Sequence, residues 1–380
     1  MTSTDHSVIL LILKALEGRG AERMVTTLAR AYVDMDYDVH VLCLEDTMDM
    51  CLDSRVHYHV VPYNQPLFNI ETEQATAYKQ VAACIDEYVL KNIGIPELIL
   101  TNIYKVNWIM AYSDLPNIVN VLHTALSRQF QEKLATMPAQ TTTHLKMVYG
   151  AHPCSCVSEG ARQDLLTLIG HHDHRTRTTT IYNPCDVSQI QQLASEPFSI
   201  KEFGLTDKGY IIHVASFDAM KGHRELLLAY AKTGRKLPLV LVGKGRLEDE
   251  IKQLAIELKI EDKVYFLGFH ANPYPLIARA ALLVMTSKYE GFGYVIVEAQ
   301  SLAVPVISTD CPFGPRELLP QKNLVAIDDI EGLAALISQA LDNANQFITP
   351  LNRQLLPKHI AQQYLYFAHS TKDIMDENIN

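Results

Sequence analysis

The chain has 380 residues, 48% of them hydrophobic, with 33 basic and 43 acidic side chains and a formal net charge of -10. That length favours two domains, and the interspersed acidic balance argues against a general nucleic-acid binder, which carries a basic stripe. Seven scattered cysteines form no disulfide framework and fit a reducing compartment, while the early apolar run Val8 to Leu13, flanked by Asp5, Glu17 and Glu22, is too short to span a bilayer and unlike a secretory signal, so a soluble cytoplasmic protein is expected.

The elements alternate. SVILLIL (Ser7–Leu13) reads as a buried strand, and the segment after Gly18-Arg19-Gly20 places Ala21, Met24, Val25, Leu28 and Tyr32 at helical spacing. DVHVLCL (Asp38–Leu44) closes a βαβ unit with glycines in its first turn. Residues 46–95 give no clear pattern. Strands are then expected at Glu97–Thr101, Ile118–His123, Ser155–Ser158 and Thr178–Asn183. A second series follows Asn183-Pro184, with strands at Tyr210–Ser216, Pro238–Gly243, Lys263–Gly268, Ala281–Thr286 and Val304–Thr309. A helix from about His223 and another with Leu247, Ile251, Leu254 and Leu258 on one stripe separate the first three. Near-continuous apolar strands joined by helices imply parallel sheets covered on both faces. Two such units place a ligand cleft at the carboxyl ends of their strands.

The stretch SKYEGFGYVIVEAQSLAVPVIST (Ser287–Thr309) concentrates the chemistry. Glu290 follows a strand, Gly291-Phe292-Gly293 form a turn, and a helix is expected to begin near Phe292–Tyr294. The free N–H groups of such a helix can hold phosphate oxygens, and the glycines let a ligand approach the backbone. Glu298 borders the apolar stripe, and a half-buried carboxylate needs partners; the vicinal diol of a ribose is one. Singly, either acid could instead be a dipole-favoured helix acid or a lysine's ion-pair partner. Together, around this turn, they point to a ligand site.

The segment E-G-F-G-x-x-x-x-E resembles the signature of family 4 retaining glycosyltransferases of the GT-B fold. Other segments are similar in order: GRGAER (Gly18–Arg23), VLHT (Val121–Thr124), CVSEGARQDLL (Cys156–Leu166), IYNPCD (Ile181–Asp186), KGH (Lys221–His223) and LVGKGRLEDEIKQLAIELKIEDKVYFLGF (Leu241–Phe269). The resemblance implies an α/β GT-B fold, two Rossmann-like doubly wound domains facing a central cleft. It divides the chain into an acceptor-side domain over residues 1–190, a nucleotide-sugar domain over 191–355, and a helical segment over 356–380 crossing back to the first domain. It implies transfer of a hexose with retention from a nucleotide-sugar of the UDP-glucose or UDP-galactose type. The implied acceptor is a hydroxyl of a glycan or lipid-linked saccharide in bacterial surface polysaccharide synthesis. No metal and no resident cofactor are implied; peripheral contact with the inner membrane stays open.

The same resemblance assigns roles. Glu298 binds ribose hydroxyls, Glu290 holds donor hexose hydroxyls, and the backbone of Gly291, Phe292, Gly293 and Tyr294 cradles sugar and diphosphate. Lys221 neutralises the departing diphosphate. His123 contacts the donor sugar near the reacting carbon; read without the family, it is a satisfied core histidine. Gly18 and Gly20 open a helix that can approach an anion, and Phe269 stacks near the base or packs in the core. One departure is plain: the family commonly places an arginine where this chain has Ser216. Arg246 and Arg316 are the replacements on offer, or else structural ion pairs. Two other readings keep the nucleotide-sugar site: an epimerase of the same fold, and a non-catalytic binding subunit.

Three further signals are read as structural. Asp34-Met35-Asp36 is a turn. Cys154 and Cys156 alternate along a strand after His152 without a second ligand pair. The His-rich stretch His171–Arg177 is a solvated loop.

Overall fold

The computed structural model describes residues 7–18, 20–62, 74–170, 177–234 and 236–377. The chain forms two compact units, the first from residues 1–184 and 354–380, the second from 185–353.

The first unit holds a parallel sheet of seven strands: β1 (Val8–Leu13), β2 (Asp38–Cys43), β3 (His57–Val60), β4 (Leu98–Asn102), β5 (Ile118–Leu122), β6 (Cys154–Cys156) and β7 (Thr178–Thr180). Their order is β3-β2-β1-β4-β5-β6-β7. The apolar runs form its centre because both faces are covered. Leu10, Ile12 and Ile99 pack with Val81, Ile85, Val106 and Ile109. Farther along the sheet, Leu122, Cys154 and Cys156 join Leu145, Val148 and Leu165.

The closing helix, Pro357–Glu377, belongs to this unit. Tyr32 Oη donates to the Ala361 carbonyl at 3.1 Å, Ser155 Oγ donates to Tyr364 Oη at 3.3 Å, and His369 Nε2 lies 2.9 Å from Glu97 Oε1. Tyr32 and Tyr364 are wholly buried, so the helix closes apolar surface as well as making polar contacts.

The second unit holds β8 (Ile211–Val214), β9 (Leu239–Val242), β10 (Val264–Gly268), β11 (Leu282–Met285), β12 (Val306–Thr309) and β13 (Leu324–Val325), in the order β10-β9-β8-β11-β12-β13. This is the doubly wound order 3-2-1-4-5-6, whose direction reverses between its first and fourth strands. Here that point lies between β8 and β11. Leu226, Leu227, Leu239, Leu241, Ile251, Leu282, Val284 and Ile337 form the core.

The division falls after Pro184, not at residue 190. The cause is packing at the start of the second unit: Cys185 Sγ sits 3.2 Å from Ser301 Oγ, and Gln191 Nε2 donates to the Ser301 carbonyl at 3.1 Å. Residues 46–95 contribute β3 and the helix Gln74–Asn92. The turn after the first helix has Asp36 at φ 69°, with Asp34 Oδ1 accepting from Arg55 Nη2 at 2.7 Å. Cys154 and Cys156 are buried, and His152 Nε2 lies 2.8 Å from the Met110 carbonyl. Of the stretch His171–Arg177, residues 171–176 lie outside the described residues.

Candidate active site

In the second unit, the singled-out residues gather at the carboxyl ends of β8 to β11, where open α/β sheets bind ligands. Lys221 follows β8 and Glu290 follows β11, so the two meet at the switch point. Lys221 Nζ donates to Glu290 Oε1 at 2.6 Å, and Ser287 Oγ donates to the same oxygen at 2.7 Å. The lysine is held from behind. Thr286 Oγ1 donates to the carbonyls of Lys221 and Gly222 at 2.9 and 3.0 Å. Gly222 has φ 68°, and a Cβ there would lie 2.0 Å from the Thr286 carbonyl oxygen. Only glycine permits that approach.

Past Glu290 the chain turns into the helix Tyr294–Ser301. Gly293, at φ 96°, is its N-cap, and no side chain caps it. The amino end therefore presents backbone N–H groups and a positive dipole end beside the Lys221 ammonium. Phe292 is buried, and Gly314 packs so closely that a Cβ would meet the Phe292 carbonyl oxygen at 2.2 Å. The turn is thus fixed from both sides.

Glu298 is only 3% exposed, more deeply buried than a residue bordering a one-sided stripe would be. The reason is that Ile296–Ser301 are all buried, so this helix has no solvent face over its second half. Tyr274 Oη donates to Glu298 Oε1 at 3.2 Å. Phe269, after β10, is 61% exposed with Lys244 Nζ 4.8 Å from its ring centre, which rules out core packing.

Near Ser216 the structure brings the Gly243–Arg246 turn against the loop after β8. A Cβ on Gly243 would lie 1.9 Å from the Ala215 carbonyl oxygen, and one on Gly245 2.6 Å from Phe217 N. The Gly243–Arg246 turn therefore lies directly on the loop after β8, with Phe217 N donating to the Lys244 carbonyl at 3.1 Å. Ser216 Oγ donates to Asp218 Oδ2 at 2.7 Å, and Arg246 Nε stands 3.9 Å from Asp218 Oδ1. Arg316 instead makes two bonds to Asp310, at 3.0 and 2.8 Å. An Arg246→Ala variant is expected to bind UDP about 10-fold more weakly at low salt, since a charge-assisted phosphate contact at an exposed side chain is screened. Arg316→Ala should leave affinity unchanged; calorimetry in two salt concentrations checks both.

In the first unit, Gly18 has φ 88°, where a Cβ would lie 3.9 Å from Met50 Cγ, and Gly20 opens the helix Gly20–Val33. Arg19 lies outside the described residues. His123 follows β5 and is half-buried, its Nε2 2.9 Å from Asn102 Oδ1. Asn102 Nδ2 donates to the Ile12 and Leu100 carbonyls, both at 3.2 Å, which fixes the amide's orientation. Nε2 of His123 is therefore the protonated nitrogen, and Nδ1 keeps its lone pair. Burial pushes the His123 pKa down to about 4, so the ring is neutral near pH 7.

His213, on β8 beneath Lys221, was not a sequence candidate. Its Nδ1 donates to the Val284 carbonyl at 2.8 Å, and burial pushes its pKa down to about 4. The unfolded chain takes up a proton near pH 6.5 that the folded chain refuses until about pH 4. Stability therefore falls as pH drops through that window, by about 2 kcal/mol between pH 7 and 5 for this group. Urea unfolding of the protein and of His213→Asn should show the smaller pH slope in the variant.

Comparisons with known proteins agree with this geometry. Glycosyltransferase Family 4 matches residues 18–189 and Glycosyl transferases group 1 matches residues 195–354. The chain belongs to the family 4 glycosyltransferases. This glycosyltransferase is 26% identical over 389 residues to the Campylobacter jejuni N-acetylgalactosamine-N,N'-diacetylbacillosaminyl-diphospho-undecaprenol 4-alpha-N-acetylgalactosaminyltransferase, covering 97% of this chain and 95% of that one. It is 24% identical to the lipopolysaccharide 1,6-galactosyltransferase of Escherichia coli K12 over 61% of this chain and 67% of that one. Among solved structures, Anabaena HepE with UDP and glucose aligns with a TM-score of 0.70 at 22% identity, covering 98% of this chain and all of the other. Thermosynechococcus elongatus sucrose-phosphate synthase aligns with a TM-score of 0.73 at 18% identity, covering 98% and 99%. The fold is GT-B, with two Rossmann-like units. No helix among the described residues is long and apolar enough to cross a membrane.

Proposed function

We propose that this glycosyltransferase moves a hexose, with retention, from a UDP-linked donor of the glucose or galactose type to a hydroxyl of a lipid-linked saccharide in bacterial surface glycan synthesis. The observation that carries the donor assignment is the Lys221–Glu290 pair at the uncapped amino end of the Tyr294–Ser301 helix. A diphosphate placed there meets the ammonium and the helix N–H groups, and the adjacent carboxylate accepts from sugar hydroxyls.

In the reaction the bond between the anomeric carbon and the β-phosphate oxygen breaks. The acceptor oxygen forms the new bond on the same face. The acceptor proton passes to the departing phosphate oxygen, so no protein nucleophile and no metal are needed. Lys221, with Arg246 in place of the family arginine, stabilises the charge that develops on the diphosphate. Glu298 takes the ribose diol and Phe269 the face of the base. His123 contributes a neutral ring with its Nε2 proton held by Asn102, suited to a hydrogen bond with a sugar hydroxyl from Nδ1.

A second donor reading rests on the Campylobacter relative, which matches over nearly its whole length and is named for N-acetylgalactosamine transfer. The test is a product assay with polyprenyl-diphosphate-linked saccharides. UDP-glucose, UDP-galactose and both UDP-N-acetylhexosamines are offered, and the anomeric proton of the product is read by NMR. A neutral hexose joined with the donor's α configuration is the expected product. An N-acetylhexosamine product would replace the donor assignment. An inverted product would overturn retention, and an epimerised nucleotide-sugar without acceptor would favour the epimerase.

A further inference from the structure

One side-chain cluster in the first unit has no part in the proposed transfer. Asp38-Val39-His40 opens β2, and His57-Tyr58-His59 opens β3, the edge strand. Side chains two apart on a strand share a face. The parallel register pairs His40 with His57, so Asp38, His40, His57 and His59 crowd one face of the sheet. They lie toward the amino ends of their strands, whereas Gly18 and His123 follow carboxyl ends.

His40 is the buried member, 7% exposed, and its Nε2 has no hydrogen-bond partner among the described residues. That atom lies 3.3 Å from Asp38 Oδ2, and His57 Nε2 lies 3.2 Å from Asp38 Oδ1. One ligand atom from each of the three residues falls within 4.8 Å of the others. A tetrahedral ion with bonds of ~2.0–2.2 Å sets its ligands ~3.3–3.6 Å apart. The two carboxylate–imidazole separations, one to each oxygen of Asp38, are near that spacing.

The far side of His40 completes the arrangement. Its Nδ1 is 2.8 Å from His59 Nε2, and His59 Nδ1 is 3.0 Å from Tyr88 Oη. With a proton on His40 Nδ1 donated to His59, and one on His59 Nδ1 donated to Tyr88, the Nε2 lone pair of His40 faces Asp38 and His57. Outer hydrogen bonds of this kind fix the tautomer of a metal-bound imidazole.

We propose that Asp38, His40 and His57 bind one zinc-class divalent ion, with a fourth position open to water, fastening the edge strand β3 to β2. Two imidazoles and a carboxylate suit zinc, nickel or copper; magnesium and calcium take oxygen ligands.

The test uses the untagged full chain, freed of metal and titrated with zinc against a chromophoric chelator, beside His57→Ala and, as a control, His369→Ala. Both substituted side chains are more than half exposed, at 60% and 54%, so the core is untouched. The protein should take up one equivalent of zinc. Loss of a direct ligand should weaken it by at least ~100-fold, at or beyond the upper end of the 10–100-fold cost of losing an outer partner. His369→Ala should bind as the parent, and zinc should raise the melting temperature of the parent and not of His57→Ala. Equal zinc binding by the parent and His57→Ala overturns the proposal, as does a parent that takes up none. If His57→Ala fails to fold, cobalt decides on the parent alone: an intense visible band of a four-coordinate ion supports the site, and its absence overturns it.

Discussion

Glu290→Gln is expected to lower kcat by ~10–10²-fold, the scale of a hydrogen bond from a sugar hydroxyl to a charged acceptor, ~1.5–3 kcal/mol, realised in the transition state. Glutamine keeps the shape and an acceptor for Ser287 and Lys221 but loses the charge. The Lys221 ammonium donates to Glu290 Oε1 at 2.6 Å. Without that charge, Lys221 is freer to meet a diphosphate, so UDP affinity should hold or rise while turnover collapses. That split separates Glu290 from a simple structural acid, whose loss would harm folding and binding together. Steady-state kinetics beside UDP calorimetry check it. A kcat within a factor of about 3 of the parent would remove Glu290 from the reaction.

Glu298→Ala is expected to weaken UDP by about 100-fold, because two hydrogen bonds to a buried carboxylate together contribute about 3 kcal/mol. Alanine also removes the bond that the Tyr274 hydroxyl donates to this carboxylate, at a stability cost of about 1 kcal/mol. Glu298→Gln supplies the control. Its amide oxygen can still accept from Tyr274, so the fold is kept, while its NH₂ cannot accept the second ribose hydroxyl. An intermediate loss, about 10-fold, should follow. Thermal melts of both variants separate the stability effect from the binding effect.

The apolar strands were legible because strands buried on both faces read as continuous runs, and β1, β2, β4 and β8 to β12 lie close to where those runs stand. β3 was not legible: HYHV is polar and half exposed at a sheet edge, where burial no longer dictates residue type. β13 has two residues, too few for any period. At the site, the turn Glu290–Gly293 and the helix after it were readable from local spacing. The partners were not. Lys221 reaches Glu290 across 69 positions because β8 and β11 are neighbours at the switch point. Tyr274 reaches Glu298, and Asn102 reaches His123, through strand order and helix packing that no local pattern encodes. The depth of Glu298 was underestimated for the same reason: helical spacing reports one stripe, whereas Ile296–Ser301 are all buried. The glycines at 243 and 245 could be read as a turn, but only the fold shows that they pack on Ala215 and Phe217 and bring Arg246 to Asp218.

The most direct test of a nucleotide-sugar site built on Glu298 is a binding cycle by calorimetry. UDP and 2′,3′-dideoxy-UDP are each titrated into the protein and into Glu298→Ala. Removing the diol or the carboxylate should each weaken binding by about 100-fold, and removing both should cost little more than either, because the two groups serve one interaction. UDP binding that is indifferent to Glu298→Ala, or losses that add in full, would contradict the assignment of the ribose to this carboxylate.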